Sequence, residues 1–123
     1  MSLGRSTIAL SLLAATLALA GAACGSSSPS APTTSAADVT INMLGNLANQ
    51  SFAPNPTTMR VGQTVAWKNA DSIAHDATQD AGRFSTTTVT AGATSAPITM
   101  STAGTFTYHC TIHPGMVGSI TVQ

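Results

Sequence analysis

The stretch Tyr108-His109-Cys110-Thr111-Ile112-His113-Pro114-Gly115-Met116 sets three metal-binding side chains at even spacing, in the pattern C-x2-H-x2-M. Cys110, His113 and Met116 offer a thiolate, an imidazole and a thioether. That mixture suits copper cycling between two oxidation states, because sulfur favours Cu(I) and nitrogen accepts Cu(II). Zinc more often recruits several thiolates or a carboxylate, and the chain's four acidic residues are all Asp. A trigonal set needs a second imidazole, and the chain has three histidines. His109 adjoins Cys110 on an extended segment, so alternation turns its ring to the opposite face. His75 is the remaining donor. Taken singly, each of these residues has an ordinary structural use: a loop histidine, a buried thiol, a methionine filling the core. Their combination points to a metal.

Elements must position these donors, and the chain after residue 37 reads as strands and turns. It is rich in Thr, Val and Ile, with Gly or Pro interrupting every several residues. Val39 to Leu44 is a first strand, and Met59 to Gln63 is a strand end running into a turn. Thr64 to Asn69 follows, with Val65 and Trp67 sharing one face. Ala96 to Met100 is another strand. Thr105 to Cys110 alternates cleanly, with Phe106, Tyr108 and Cys110 on one side. Val117 to Val122 closes the set. Seven to eight short strands at this spacing predict an all-β, antiparallel sandwich. Three donors then come from one tight loop and His75 from a distant strand, which gives a rigid cage suited to fast electron transfer.

From about Val39 to Gln123 the chain resembles the cupredoxin family. The pieces Phe52-Ala53-Pro54, Val61-Gly62-Gln63-Thr64-Val65-Ala66-Trp67, Asn69-Ala70-Asp71 and His75 fall in the family's order, and the short ligand loop is similar to the amicyanin type. The resemblance implies a Greek-key sandwich with a type 1 (blue) copper held by His75, Cys110, His113 and Met116, Met116 being the long axial ligand. It also implies that the His113 ring edge reaches the surface and passes the electron.

Two departures from the family pattern bear on the site. Asp76 stands where Asn commonly follows the first His ligand. Its N–H is expected to bond the Cys110 thiolate and its carboxylate to accept from Thr111, and its charge would favour Cu(II). Ala74 before His75, and Ile112 where Pro is common, leave the loops less stiff.

The N-terminal region has a different character. Arg5 precedes an apolar run from Ile8 to Ala20, too short to span a bilayer comfortably as a helix, and small residues follow. This is the form of an export signal over residues 1–23. Cys24 before Gly25-Ser26-Ser27-Ser28 resembles a lipoprotein lipidation site, although Gly21 replaces the usual Leu and Ala20-Gly21-Ala22 also suits ordinary cleavage. Residues 24–37 read as a Ser/Pro/Thr-rich tether, and residues 38–123 as the folded domain. A Cys24–Cys110 disulfide is chemically open outside the cytoplasm, but Cys110 has the better use as a ligand.

Charged residues make up 7% of the chain and the formal net charge is zero, which argues against nucleic acid and against strongly electrostatic partners. The expectation is an exported, monomeric electron carrier of the periplasm or the outer face of the cytoplasmic membrane. Membrane contact would come only through a lipid on Cys24. A redox partner would dock at the His113 face on an apolar rim including Ile112 and Pro114, with Met59 read either as core or as part of that rim. The alternative is a copper chaperone or sensor, against which the tether, with neither Met nor His, speaks. An enzyme would need further copper or an open coordination position, so none is expected.

Overall fold

A computed structural model describes residues 35–123. The export signal, Cys24 and most of the tether lie outside the described residues. Eight strands form two four-stranded sheets. The first sheet contains β1 (Val39–Met43), β2 (Phe52–Ala53), β4 (Thr64–Asn69) and β6 (Ile98–Thr99), in the order β2-β1-β4-β6. The second contains β3 (Thr57–Met59), β5 (Thr78–Gln79), β7 (Gly104–His109) and β8 (Val117–Val122), in the order β3-β8-β7-β5.

The expected sandwich is present, but its sheets are mixed rather than wholly antiparallel. β1 runs parallel to β4, and β3 parallel to β8. Parallel neighbours need a crossover. Here the chain leaves β1, passes through a 3-10 turn at Ala48–Gln50, then β2 of the same sheet and β3 of the other, and returns as β4. β2 and β5, two residues each, are too short to leave a period-2 signature in the sequence.

Alternation fills the space between the sheets. Ile41, Met43, Val65 and Trp67 from the first sheet meet Phe106, Tyr108, Ile120 and Val122 from the second, all buried. The Tyr108 ring packs edge-on against Trp67 (5.5 Å) and Phe52 (4.8 Å between centroids), an arrangement worth about 0.5–1.5 kcal/mol per pair beyond area burial. Tyr108 lies directly over Gly118, where a Cβ would fall 2.5 Å from its hydroxyl oxygen. Burial pushes the Tyr108 phenol far above its ordinary range, with the nearby Trp67 indole opposing weakly. The two polar atoms nonetheless miss hydrogen-bond geometry, and both are buried without a partner.

Strand direction fixes where the chemistry sits. β4 leads through Asn69 into the loop carrying His75, β7 leads into Cys110, and β8 starts one residue after Met116. All four donors therefore gather at one pole. Val39, paired with Val65, and Val122, paired with Gly104 and Met59, lie at the other. Met59 is thus a buried residue of the far pole, not part of a rim around the site. Its sequence neighbours reveal burial, whereas its distance from the site is set by the parallel β3–β8 pairing.

Candidate metal centre

His75 is positioned by a two-way backbone exchange with Val89 (His75 N–H to Val89 O 3.1 Å, Val89 N–H to His75 O 2.7 Å). Its side chain is fully buried. Cys110 follows the end of β7. Its N–H donates to Met116 O (3.1 Å), and Met116 N–H donates to His113 O (2.9 Å), so the loop closes on itself. This brings His113 Nδ1 to 3.1 Å from His75 Nδ1, with Cys110 Sγ 3.9 Å from each. These three are the group of metal-ligating side chains that comes together among the described residues. Cys110 is buried and unpaired. Met116, fully buried, is the residue on which the loop closes. His113 is only partly buried and its neighbour Ile112 is exposed.

Two imidazole nitrogens and a sulfur, aimed into one space with no carboxylate oxygen among them, fit copper. The hard cations that prefer oxygen are poorly served by this set. With both rings in the Nε2–H tautomer, the two Nδ1 lone pairs would face each other at 3.1 Å, a conflict that a cation between them removes.

The surroundings of Cys110 match the sequence expectation. Asp76 N–H donates to Cys110 Sγ (3.4 Å). The Asp76 carboxylate accepts from Thr111 N–H and from the Thr111 hydroxyl, each at 2.6 Å, and from the Thr78 hydroxyl at 3.3 Å. Burial alone would raise this carboxyl; the hydrogen bonds, led by the Thr111 hydroxyl, outweigh it and hold it below its ordinary value. Asp76 is therefore an anion beside the thiolate.

Two pairings escaped the sequence reading. His75 Nε2 lies 2.8 Å from Asp71 Oδ2, although Asp71 reads as a loop-shaping residue; its position four before His75 was the available signal. His109 points away from the site as expected, and there its Nδ1 meets Asp80 Oδ1 at 2.7 Å.

The environment of the pole is apolar. Leu44, Leu47, Ile73 and Ile112 are about half exposed. The 44–47 loop lies against this end, since Gly45 faces the Asp71 carboxylate and Asn46 faces Gly115.

Comparison with known proteins agrees with this centre. Residues 39–123 match the model of the copper-binding proteins of the plastocyanin/azurin family. Amicyanin of Paracoccus denitrificans is 29% identical over 124 residues, covering 97% of this chain and 95% of that protein. A purple cupredoxin from Nitrosopumilus maritimus superposes with a TM-score of 0.61 at 27% identity, covering 70% of this chain and all of the other. The copper-containing nitrite reductase of Thermus scotoductus also superposes, with a TM-score of 0.61 at 33% identity; the match covers 69% of this chain but 22% of that enzyme. The sandwich, the His75–Cys110–His113 cluster and these matches lead to one assignment: the chain is a copper-binding electron-transfer protein of the plastocyanin/azurin family, a type 1 cupredoxin.

Proposed function

We propose that this protein is exported and carries single electrons between redox partners in the periplasm, with His75, Cys110, His113 and Met116 as the copper ligands. The observation that carries the reading is the convergence of His75, Cys110 and His113 at one pole. Bound copper supplies the one-electron Cu(I)/Cu(II) couple. The chain's own residues supply the rest. His75 is locked into β-type backbone pairing, and Cys110 is held by the Asp76 N–H. Three ligands share a loop closed by its own hydrogen bonds. Donors held this firmly move little when charge changes, which keeps reorganisation small.

His113 is the ligand that approaches solvent, and its sequence neighbour Ile112 is exposed, as are Ile73 and Leu44 in other loops. A partner docking there would exclude water around the ring. With few charges nearby, docking is mainly apolar and responds weakly to salt. The chain is a carrier rather than an enzyme on this reading, supported by its likeness to amicyanin over 97% of its length. The signal over 1–23 and the tether over 24–37 support export. Lipidation at Cys24 would hold the carrier at the membrane. Among the described residues no helix is long and apolar enough to cross a bilayer.

The test is the visible spectrum of the copper-loaded full chain. An intense thiolate-to-copper charge-transfer band, lost in Cys110→Ser, supports the reading, and a colourless Cu(II) complex overturns it. Stopped-flow electron exchange that outpaces copper release to a competing chelator separates a carrier from a chaperone.

A further inference from the structure

We propose that Asp71 is a positioning residue for the copper site, holding the proton of His75 on Nε2 and the ring in register, from a seat that exists because residue 45 is glycine. This deepens the reading of His75 as a ligand and rests on it.

The geometry has three parts. Asp71 Oδ2 lies 2.8 Å from His75 Nε2. A carboxylate oxygen at that distance from a ring nitrogen accepts from its N–H. The proton of the pair therefore resides on Nε2. A neutral ring so protonated presents its Nδ1 lone pair toward Cys110 Sγ and His113 Nδ1, where a metal ion would sit. Histidine ligands commonly have their second nitrogen fixed in this way, which sets tautomer, orientation and basicity.

Asp71 is itself braced. Its N–H donates to Asn69 Oδ1 (2.9 Å), and the Asn69 amide donates to Ile73 O (2.7 Å) and Val89 O (2.9 Å). Asn69 is fully buried at the end of β4, so the brace is anchored in the sheet. Ser72 N–H donates to Asp71 Oδ1 at 2.7 Å, which leaves Oδ2 for His75. The third part comes from the loop after β1. Gly45 is buried with φ at +115°, and a Cβ there would lie 3.1 Å from Asp71 Oδ2. That contact is tight, so the carboxylate would have to give by a few tenths of an ångström, and a side chain at this φ is strained as well. The segment from Asn69 to His75 and the remote loop at Gly45 thus meet around one carboxylate–imidazole pair.

The test uses the full chain as wild type, Asp71→Ala, Asp71→Asn and Gly45→Ala. Nitrogen-15 NMR of the metal-free protein reads which nitrogen of His75 carries the proton and how fast that proton exchanges. Competition with a colorimetric Cu(I) chelator reads affinity. In wild type the proton is on Nε2 and protected. In Asp71→Ala exchange quickens at least tenfold and Cu(I) affinity falls about 10- to 100-fold. Asp71→Asn keeps an amide oxygen for the Nε2 proton and recovers most of the protection. Gly45→Ala, with Asp71 intact, reproduces the faster exchange, so the proposal stays testable should Asp71→Ala fold poorly. Protection and affinity within twofold of wild type in Asp71→Ala, or no recovery in Asp71→Asn, overturns it. The NMR arm needs no copper, so a wild-type chain that fails to bind copper refutes the ligand assignment and leaves the Asp71–His75 result readable.

Discussion

Asp76 and Thr111 clasp each other across the gap between the His75 strand and the ligand loop, through two parallel hydrogen bonds of 2.6 Å from the Thr111 N–H and hydroxyl to the two carboxylate oxygens. The residues preceding the two halves of this clasp are proposed ligands: His75 precedes Asp76, and Cys110 precedes Thr111. One hydrogen-bonded pair therefore sets the separation of two donors that lie far apart in sequence. It also fixes a negative charge beside the thiolate.

That charge stabilises the more positive oxidation state. Asp76→Asn keeps an acceptor for the Thr111 N–H and removes the charge, so the reduction potential rises. The effect is of order 1–3 kcal/mol for a partly buried charge pair, or about 40–130 mV for a one-electron couple. Protein-film voltammetry of the two copper-loaded proteins checks it; an unchanged or lower potential contradicts the assignment.

Gly118 has no room for a side chain beneath Tyr108. Gly118→Ala is expected to destabilise the domain by about 1–3 kcal/mol, the usual penalty for overpacking a core. Urea unfolding measures this, and the penalty shrinks in a Tyr108→Leu background if the two side chains are in conflict.

Tyr108 buries a hydroxyl with no hydrogen-bond partner. Removing such a group relieves an unmet desolvation cost. Tyr108→Phe is therefore neutral to stabilising, by up to about 1 kcal/mol, and leaves the visible spectrum of the copper protein unchanged. A clear loss of thermal stability would show that the hydroxyl has a partner in solution.

At the far pole, the Asp38 carboxylate accepts from Thr64 N–H (2.7 Å) and Thr64 hydroxyl (2.8 Å), which lower its carboxyl from the ordinary value of 3.8. The folded chain then binds this proton more weakly than the unfolded chain. Its contribution is present above pH ~4 and fades as pH falls through the folded value. Thermal melts of metal-free protein between pH 5 and 3 should decline less steeply for Asp38→Asn than for wild type.

The pattern of Cys110, His113 and Met116 is legible in the sequence because its spacing is local, and His75 is reached because alternation turns His109 to the opposite face; the structure brings His75, Cys110 and His113 together. Asp76 with Thr111 was legible through the family pattern. Asp71 was visible only as a turn former, because its partnership with His75 depends on the seat at Gly45, a loop remote in sequence. Of the two readings open for Met59, core or rim, the structure takes the core one, and the choice was not legible for a related reason. Alternation tells which face of a strand is buried, but it is silent on which strand lies alongside and in which direction. The parallel pairings of β1 with β4 and β3 with β8 are long-range facts of that kind, and they decide which residues share the metal's pole.

Those same pairings give the domain a front and a back. Chain entry at Val39 and exit at Val122 are both at the back. A fluorescent reporter fused after Gln123 would therefore attach at the end opposite the His75–Cys110–His113 cluster.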